Sequence, residues 1–240
     1  MSIPSPLPAE SRIEIGLLLY PRLTQLDLTG PLEVFCRMSN TVVHLLWKTR
    51  EPVASDRGLT LLPTMTLEEC PALDVVVVPG GAGQVTLMND TVVLDFLAKQ
   101  AATARYVASV CTGSLVLGAA GLLKGRRATC HWMSLDQLAL LGATPVAERV
   151  VIDGPIVTGG GVTAGIDFGL ELAAMLRGDP EAKRIQLEME YNPHPPFDAG
   201  SPESAGPDLV AAVRKRYAPF LEARREATLR AQARIERQEC

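Results

Sequence analysis

The chain has 240 residues, is 47% hydrophobic and carries 23 Lys and Arg against 27 Asp and Glu, a net charge of −4. This suits one sizeable globular domain and supplies no basic field that would draw the chain to nucleic acid or an anionic membrane. No apolar run reaches the roughly 18–20 residues that span a bilayer, and the N-terminus lacks the basic flank and apolar centre of a secretion signal.

Residues 1–11, MSIPSPLPAES, read as a Pro/Ser-rich disordered lead-in. An apolar run over 12–20 then predicts a buried strand, and LDLTGPLEVFCRM (26–38) a helix with Pro31 near its start. VVHLLWKT (42–49) and DVVVVPGG (74–81) predict strands, and residues 90–104 a helix capped by Asp90. RYVASV is the next strand, SLVLGAAGLLKG an apolar helix stopped at Gly125, and 133–142 another helix. RVVIDGPIVTGGG (149–161) has the Asp-Gly signature of a hairpin, and helices follow over 163–178 and 180–191. Strands alternating with helices, several apolar on both faces, imply an α/β fold: a doubly wound, mostly parallel sheet with helices on both faces. One domain over 12–205 is expected, followed by a C-terminal helical extension over 206–240 packed on the same domain or dimer. That extension reads as a polar helix pair broken at Pro219, its arginines interleaved with glutamates and lying in solvent or against a dimer partner.

Ligands of open α/β sheets bind outside the carboxyl ends of the strands. VPGGAGQ, SVCTGS, DLTGP and TGGGVTAG are the segments placed there. Neither glycine cluster completes GxGxxG and no GxxxxGK[ST] occurs, so no nucleotide is expected. The five cysteines (36, 70, 111, 130 and 240) are odd in number, widely spaced and without a CxxC pair, which predicts free thiols in a reducing cytoplasm and no thiolate metal site.

Cys111 stands where a strand gives way to a helix, followed by the small residues Thr112 and Gly113. A helix N-terminus favours an anion, so the thiol pKa is expected to be lowered there, as at a nucleophile elbow. The alternative is a buried, inert thiol. Asp27 at the end of the first strand is the favoured carboxylate, with a helix N-cap as its alternative role. Among the histidines, His44 reads as packed core, His194 as surface loop, and His131 as one able to approach the site. Cys130 reads as structural.

Together, QLDLTGPLEVF, VVVVPGGAG, SVCTGSLVLGAAGLLKGRRATCHW and TGGGVTAGIDFGLELAA resemble the DJ-1/PfpI superfamily and, within it, the isocyanide hydratase subgroup. The resemblance implies a flavodoxin-like fold, a homodimer, Cys111 as nucleophile, Asp27 as its acid/base partner and Thr112 positioning the reacting groups. Gly80, Gly81 and Gly113 are implied as the backbone facing substrate or oxyanion. Thr112 replaces the histidine that follows the cysteine in protease members, which argues against peptidase activity. Asp27 replaces the glutamate of glyoxal-processing and oxidative-sensor members. The expected substrate is a small isocyanide, hydrated to a formamide without metal, redox cofactor or nucleotide. A non-enzymatic sensor of the kind found in transcription regulators, and a redox-responsive protein, are the alternatives. The first needs a helix-turn-helix region, of which residues beyond 205 show no pattern.

Overall fold

A computed structural model describes residues 5–238 of the chain. The alternating pattern folds as β1 (Ile13–Leu18), α1 (Gln25–Phe35), β2 (Thr41–Trp47), β3 (Met65–Thr66), β4 (Val75–Val78), α2 (Gln84–Leu87) and α3 (Thr91–Ala101). There follow β5 (Tyr106–Val110), α4 (Gly113–Ala119), a 3₁₀ helix (Trp132–Leu141), β6 (Val150–Asp153), β7 (Ile156–Gly159), α5 (Ala164–Arg177), α6 (Asp179–Glu188), α7 (Pro202–Ala205) and α8 (Pro207–Gln238). The seven strands form one sheet in the order β6-β7-β5-β4-β1-β2-β3. All neighbours are parallel except β6 and β7, the expected hairpin, whose Gly154 takes φ 62°. The helices α1, α5 and α6 pack together, and α3, α4, the 3₁₀ helix and α8 form a second group. With both faces covered, the four valines of β4 are all buried, which explains a strand without polar alternation.

Three local expectations are corrected. Helix α4 ends before Gly125: Gly121 turns left-handed at φ 77°, its N–H donating to Gly118 and that of Leu122 to Leu117. These two bonds form a Schellman stop one turn earlier than the composition suggests. Pro31 is not near a helix start but inside α1, after six helical residues. The tail is not broken at Pro219, because α8 runs through it as one helix, held beyond the proline by its packing on the 3₁₀ helix and α4. The described part of the lead-in is also tied down: Leu7 N–H donates to Leu176 O at 2.8 Å, and the Arg177 guanidinium donates to the carbonyls of Pro8 and Ser11. Residues 1–4 and Cys240 lie outside the described residues.

Close approach of α1 and α5 carries Asp27 to its place. A Cβ on Gly169 would stand 3.1 Å from Val34 Cβ and 3.3 Å from the Pro31 backbone, so glycine is what lets the helices touch. Replacing Gly169 with Leu is expected to destabilise the fold by about 1–3 kcal/mol through overpacking, read as a lowered urea midpoint at unchanged slope.

Candidate active site

The turns at the carboxyl ends of β1, β4, β5 and β7 meet above the middle of the sheet. β5 ends at Val110, and Cys111 then takes φ 58°, a left-handed conformation that costs a side-chain-bearing residue about 1–3 kcal/mol. Its N–H donates to Gly159 O at 2.9 Å, anchoring the bend to β7, and Thr112 caps α4. Cys111 is 5% exposed. The elbow geometry of the sequence reading is therefore present.

Asp27 is fully buried in the first turn of α1, whose N-cap is Thr24, so it is not the helix cap. Its Oδ2 accepts the Gly80 N–H at 3.0 Å, and the Cys111 thiol is near enough to act on its carboxyl. Among the described residues, no fully formed hydrogen bond reaches Oδ1. Burial raises the carboxyl pKa to about 7; the nearby Asp56 charge adds to the rise, while the Cys111 thiol and Gly80 N–H oppose it. Burial is the main cause of the rise.

The thiol does not behave as anticipated. Burial first, then the Asp27 and Cys130 charges, push Cys111 well above the usual thiol range; the Thr112 N–H works in the opposite direction without prevailing. One helix terminus does not offset desolvation beside a carboxylate. Above about pH 7, where the carboxyl ionises, and below the much higher range of the thiol, the pair holds one proton and one negative charge.

The glycine turn is spoken for within the protein. Gly80 N–H goes to Asp27, and Gly81 N–H donates to Thr112 Oγ1 at 3.1 Å, so neither is free to face an oxyanion as expected. Their part is steric. A Cβ on Gly80 would lie 2.6 Å from Thr112 N and 2.7 Å from Asp27 Oδ2, and one on Gly113 would lie 2.0 Å from Val78 O. Thr112, buried, pins the turn through its hydroxyl.

A cavity of about 360 Å³ opens over Cys111 and Thr112. Val162, from TGGGVTAG, and Met133 form apolar wall. His131 also lines it; its Nδ1 accepts the Met133 N–H at 3.3 Å, and burial, with Arg224 nearby, lowers its pKa to about 4, so it is neutral. His194 is exposed, and His44 Nε2 lies 2.7 Å from Glu14 Oε2, away from the cavity. Cys130 is buried, its thiol pushed up to about 12 by burial. Among the described residues no cluster of His, Cys, Asp or Glu is arranged to hold a metal.

The helical extension expected over 206–240 is present as α8, but its contribution to the site was not foreseen. Tyr217, Phe220 and Arg224 reach the same cavity from it, and Ala227, Thr228 and Ala231 are buried behind them. Their spacing of i, i+4, i+7, i+8 and i+11 from Phe220 is a buried helical stripe, legible in principle but masked by the surrounding arginines and glutamates.

The DJ-1/PfpI family model matches residues 14–175. The chain belongs to the DJ-1/PfpI family. It is 57% identical over 223 residues to the isonitrile hydratase of Pseudomonas putida, covering 93% of this chain and 98% of that one. A THiJ/PfpI family protein from Pseudomonas syringae superposes with a TM-score of 0.88 at 43% identity, covering 91% of each chain. The HTH-type transcriptional regulator CdhR of Pseudomonas aeruginosa is 33% identical over 144 residues, 59% of this chain and 43% of that protein.

An acid whose pKa is higher folded than unfolded stabilises the fold when protonated. That contribution is complete below the unfolded value of 3.8 and lost as pH rises to about 7. Asp27→Asn removes the loss. Relative to wild type, its stability is expected to improve by about 1.4 kcal/mol per pH unit between about pH 5 and pH 7, measured by urea unfolding.

Proposed function

We propose that this chain hydrates isocyanides, adding water across R–N≡C to give an N-substituted formamide, by way of a thioimidate on Cys111. The observation that carries the reading is the buried Cys111–Asp27 pair at a strained turn, opening on a cavity walled in part by Met133, Val162 and Phe220, in a chain so similar to an isonitrile hydratase along nearly its full length.

With one proton between them, sulfur and carboxyl supply what the first step requires. The sulfur attacks the terminal carbon, forming the C–S bond, while Asp27 delivers the shared proton to that carbon. The product is R–N=CH–S–Cys111 beside an ionised Asp27. In the second step the carboxylate takes a proton from water as its oxygen adds to the same carbon. The hydroxyl proton passes to nitrogen, the C–S bond breaks, and R–NH–CHO departs. Asp27 keeps its proton and the sulfur regains its electron pair, restoring the starting state. One acid/base group serves both halves. Thr112 holds the turn against which Asp27 is fixed. The apolar walls suit the R group, and neutral His131 adds no charge there.

As part of this reading, we infer a homodimer and a cytoplasmic location. Among the described residues no helix is long and apolar enough to cross a membrane.

Incubation with an aryl isocyanide is expected to yield the formamide, with Cys111→Ala and Cys111→Ser losing turnover by at least about 10³-fold. Because the pair becomes reactive by losing its first proton, kcat/KM should rise with pH through about 7. Near-normal turnover by Cys111→Ala, or a rate falling as pH passes through 7, overturns the covalent route.

A further inference from the structure

Three arginines line the cavity; Arg22 and Arg57 are exposed, and Arg224 is the buried one. It is 5% exposed, yet among the described residues no carboxylate is paired with it. Nε donates to Gln84 Oε1 at 3.0 Å and Nη1 to Ser134 Oγ at 2.7 Å, both neutral acceptors. Its guanidinium lies 4.5 Å from the centre of the Phe220 ring one helical turn away. It lines the cavity together with Cys111, and the charges that act on it are those of Cys130, Cys111 and Tyr20. A buried guanidinium without an anion is costly, so its counter-charge must be sought among these groups.

The surroundings narrow the choice. Tyr20 donates its hydroxyl to Pro79 O, and its ionisation is strongly opposed by burial. Cys130 is likewise held protonated by burial. His131, on the cavity wall, is neutral. Asp56 also lines the cavity, its Oδ2 accepting from Thr24 Oγ1, but it is not among the charges that act on Arg224 and no ion pair joins the two. Cys111 does act on Arg224 from the same cavity, and in the proposed mechanism it holds a single negative charge jointly with Asp27.

We propose that Arg224, carried into the site by α8, is the counter-charge of the Cys111–Asp27 pair and holds that pair in its singly protonated, reactive state. Gln84 and Ser134 aim the guanidinium, and Phe220 covers its face. The C-terminal helix thereby does more than close the cavity: it supplies a buried positive charge beside Cys111. Arg224 is a positioning residue acting through charge, and no bond to it forms or breaks in turnover. The proposal rests on Cys111 being the nucleophile, but its test does not require isocyanide turnover.

The test compares R224Q, which keeps a donor for Gln84 or Ser134 and loses the charge, with R224K, which keeps a cation. The pH dependence of Cys111 alkylation by iodoacetamide, followed by peptide mass spectrometry, is read in each. In R224Q the midpoint is expected to move up by at least about one pH unit, with about tenfold slower alkylation at pH 7. R224K should stay closer to wild type. The rising limb of kcat on an aryl isocyanide should move in parallel, with KM within about twofold. A folded R224Q with an unchanged alkylation midpoint overturns the proposal. So does an unchanged midpoint with KM raised only for isocyanides bearing a carboxylate, which would make Arg224 a substrate anchor. Should R224Q fail to fold, the R224Q/D27N double variant, lacking both charges, is expected to fold; its failure also overturns the proposal. A failed formamide assay with a shifted alkylation midpoint would instead count against the substrate and leave the charge relation standing.

Discussion

Two acidic groups buried side by side cannot both ionise, and this single restriction organises the site. Lack of water pushes both the Asp27 carboxyl and the Cys111 thiol upward; the Asp27 charge adds to the rise of the thiol, and the Asp56 charge to that of the carboxyl. The pair consequently keeps a proton in the neutral range, and in the proposed mechanism that proton is delivered to the isocyanide carbon. A thiol lowered in isolation by a helix terminus would provide a better anion but no acid beside it. The elevated carboxyl is thus the more telling feature, and it depends on burial that only the folded sheet provides.

Holding such a pair together requires backbone that few sequences allow. Cys111 adopts a left-handed conformation although it has a side chain, and the Gly159 carbonyl keeps it there. The Gly80 N–H fixes one carboxyl oxygen, while the absence of a side chain at Gly80 leaves room for Thr112 and Asp27 to converge. Helix α1 must also reach the sheet edge closely, which Gly165 and Gly169 permit by letting α5 approach. Strain at the elbow is therefore balanced by hydrogen bonds and packing drawn from β4, β7, α1 and α5.

Much of this was legible in the sequence because the relevant signals are local. The valine run, the Pro-Gly-Gly break and the Asp-Gly hairpin mark strand ends, and strand ends locate the site of an α/β sheet. Cys111 and Asp27 could be placed at one edge on that ground. Their ionisation could not be judged as well, since a helix N-terminus is visible in a sequence whereas desolvation by distant elements is not. The donors of Gly80 and Gly81 were misassigned for a related reason: that they are taken up by Asp27 and Thr112 is a property of convergence. Gly121 rather than Gly125 stops α4 because the Schellman bonds form at the first glycine after its last turn.

The contribution of the C-terminal helix to the site was hidden by composition. A segment rich in arginine and glutamate looks solvated, and most of α8 is, but one buried stripe brings Phe220 and Arg224 over the nucleophile. An arginine suits that position better than a lysine. A buried lysine can shed its proton to escape desolvation, whereas a guanidinium remains charged across the working pH range. A fixed positive charge confines every protonation change in the site to the two groups that perform the chemistry. The neutral acceptors around Arg224 fit the same logic: a carboxylate there would have answered its charge directly and left the Cys111–Asp27 anion without a partner.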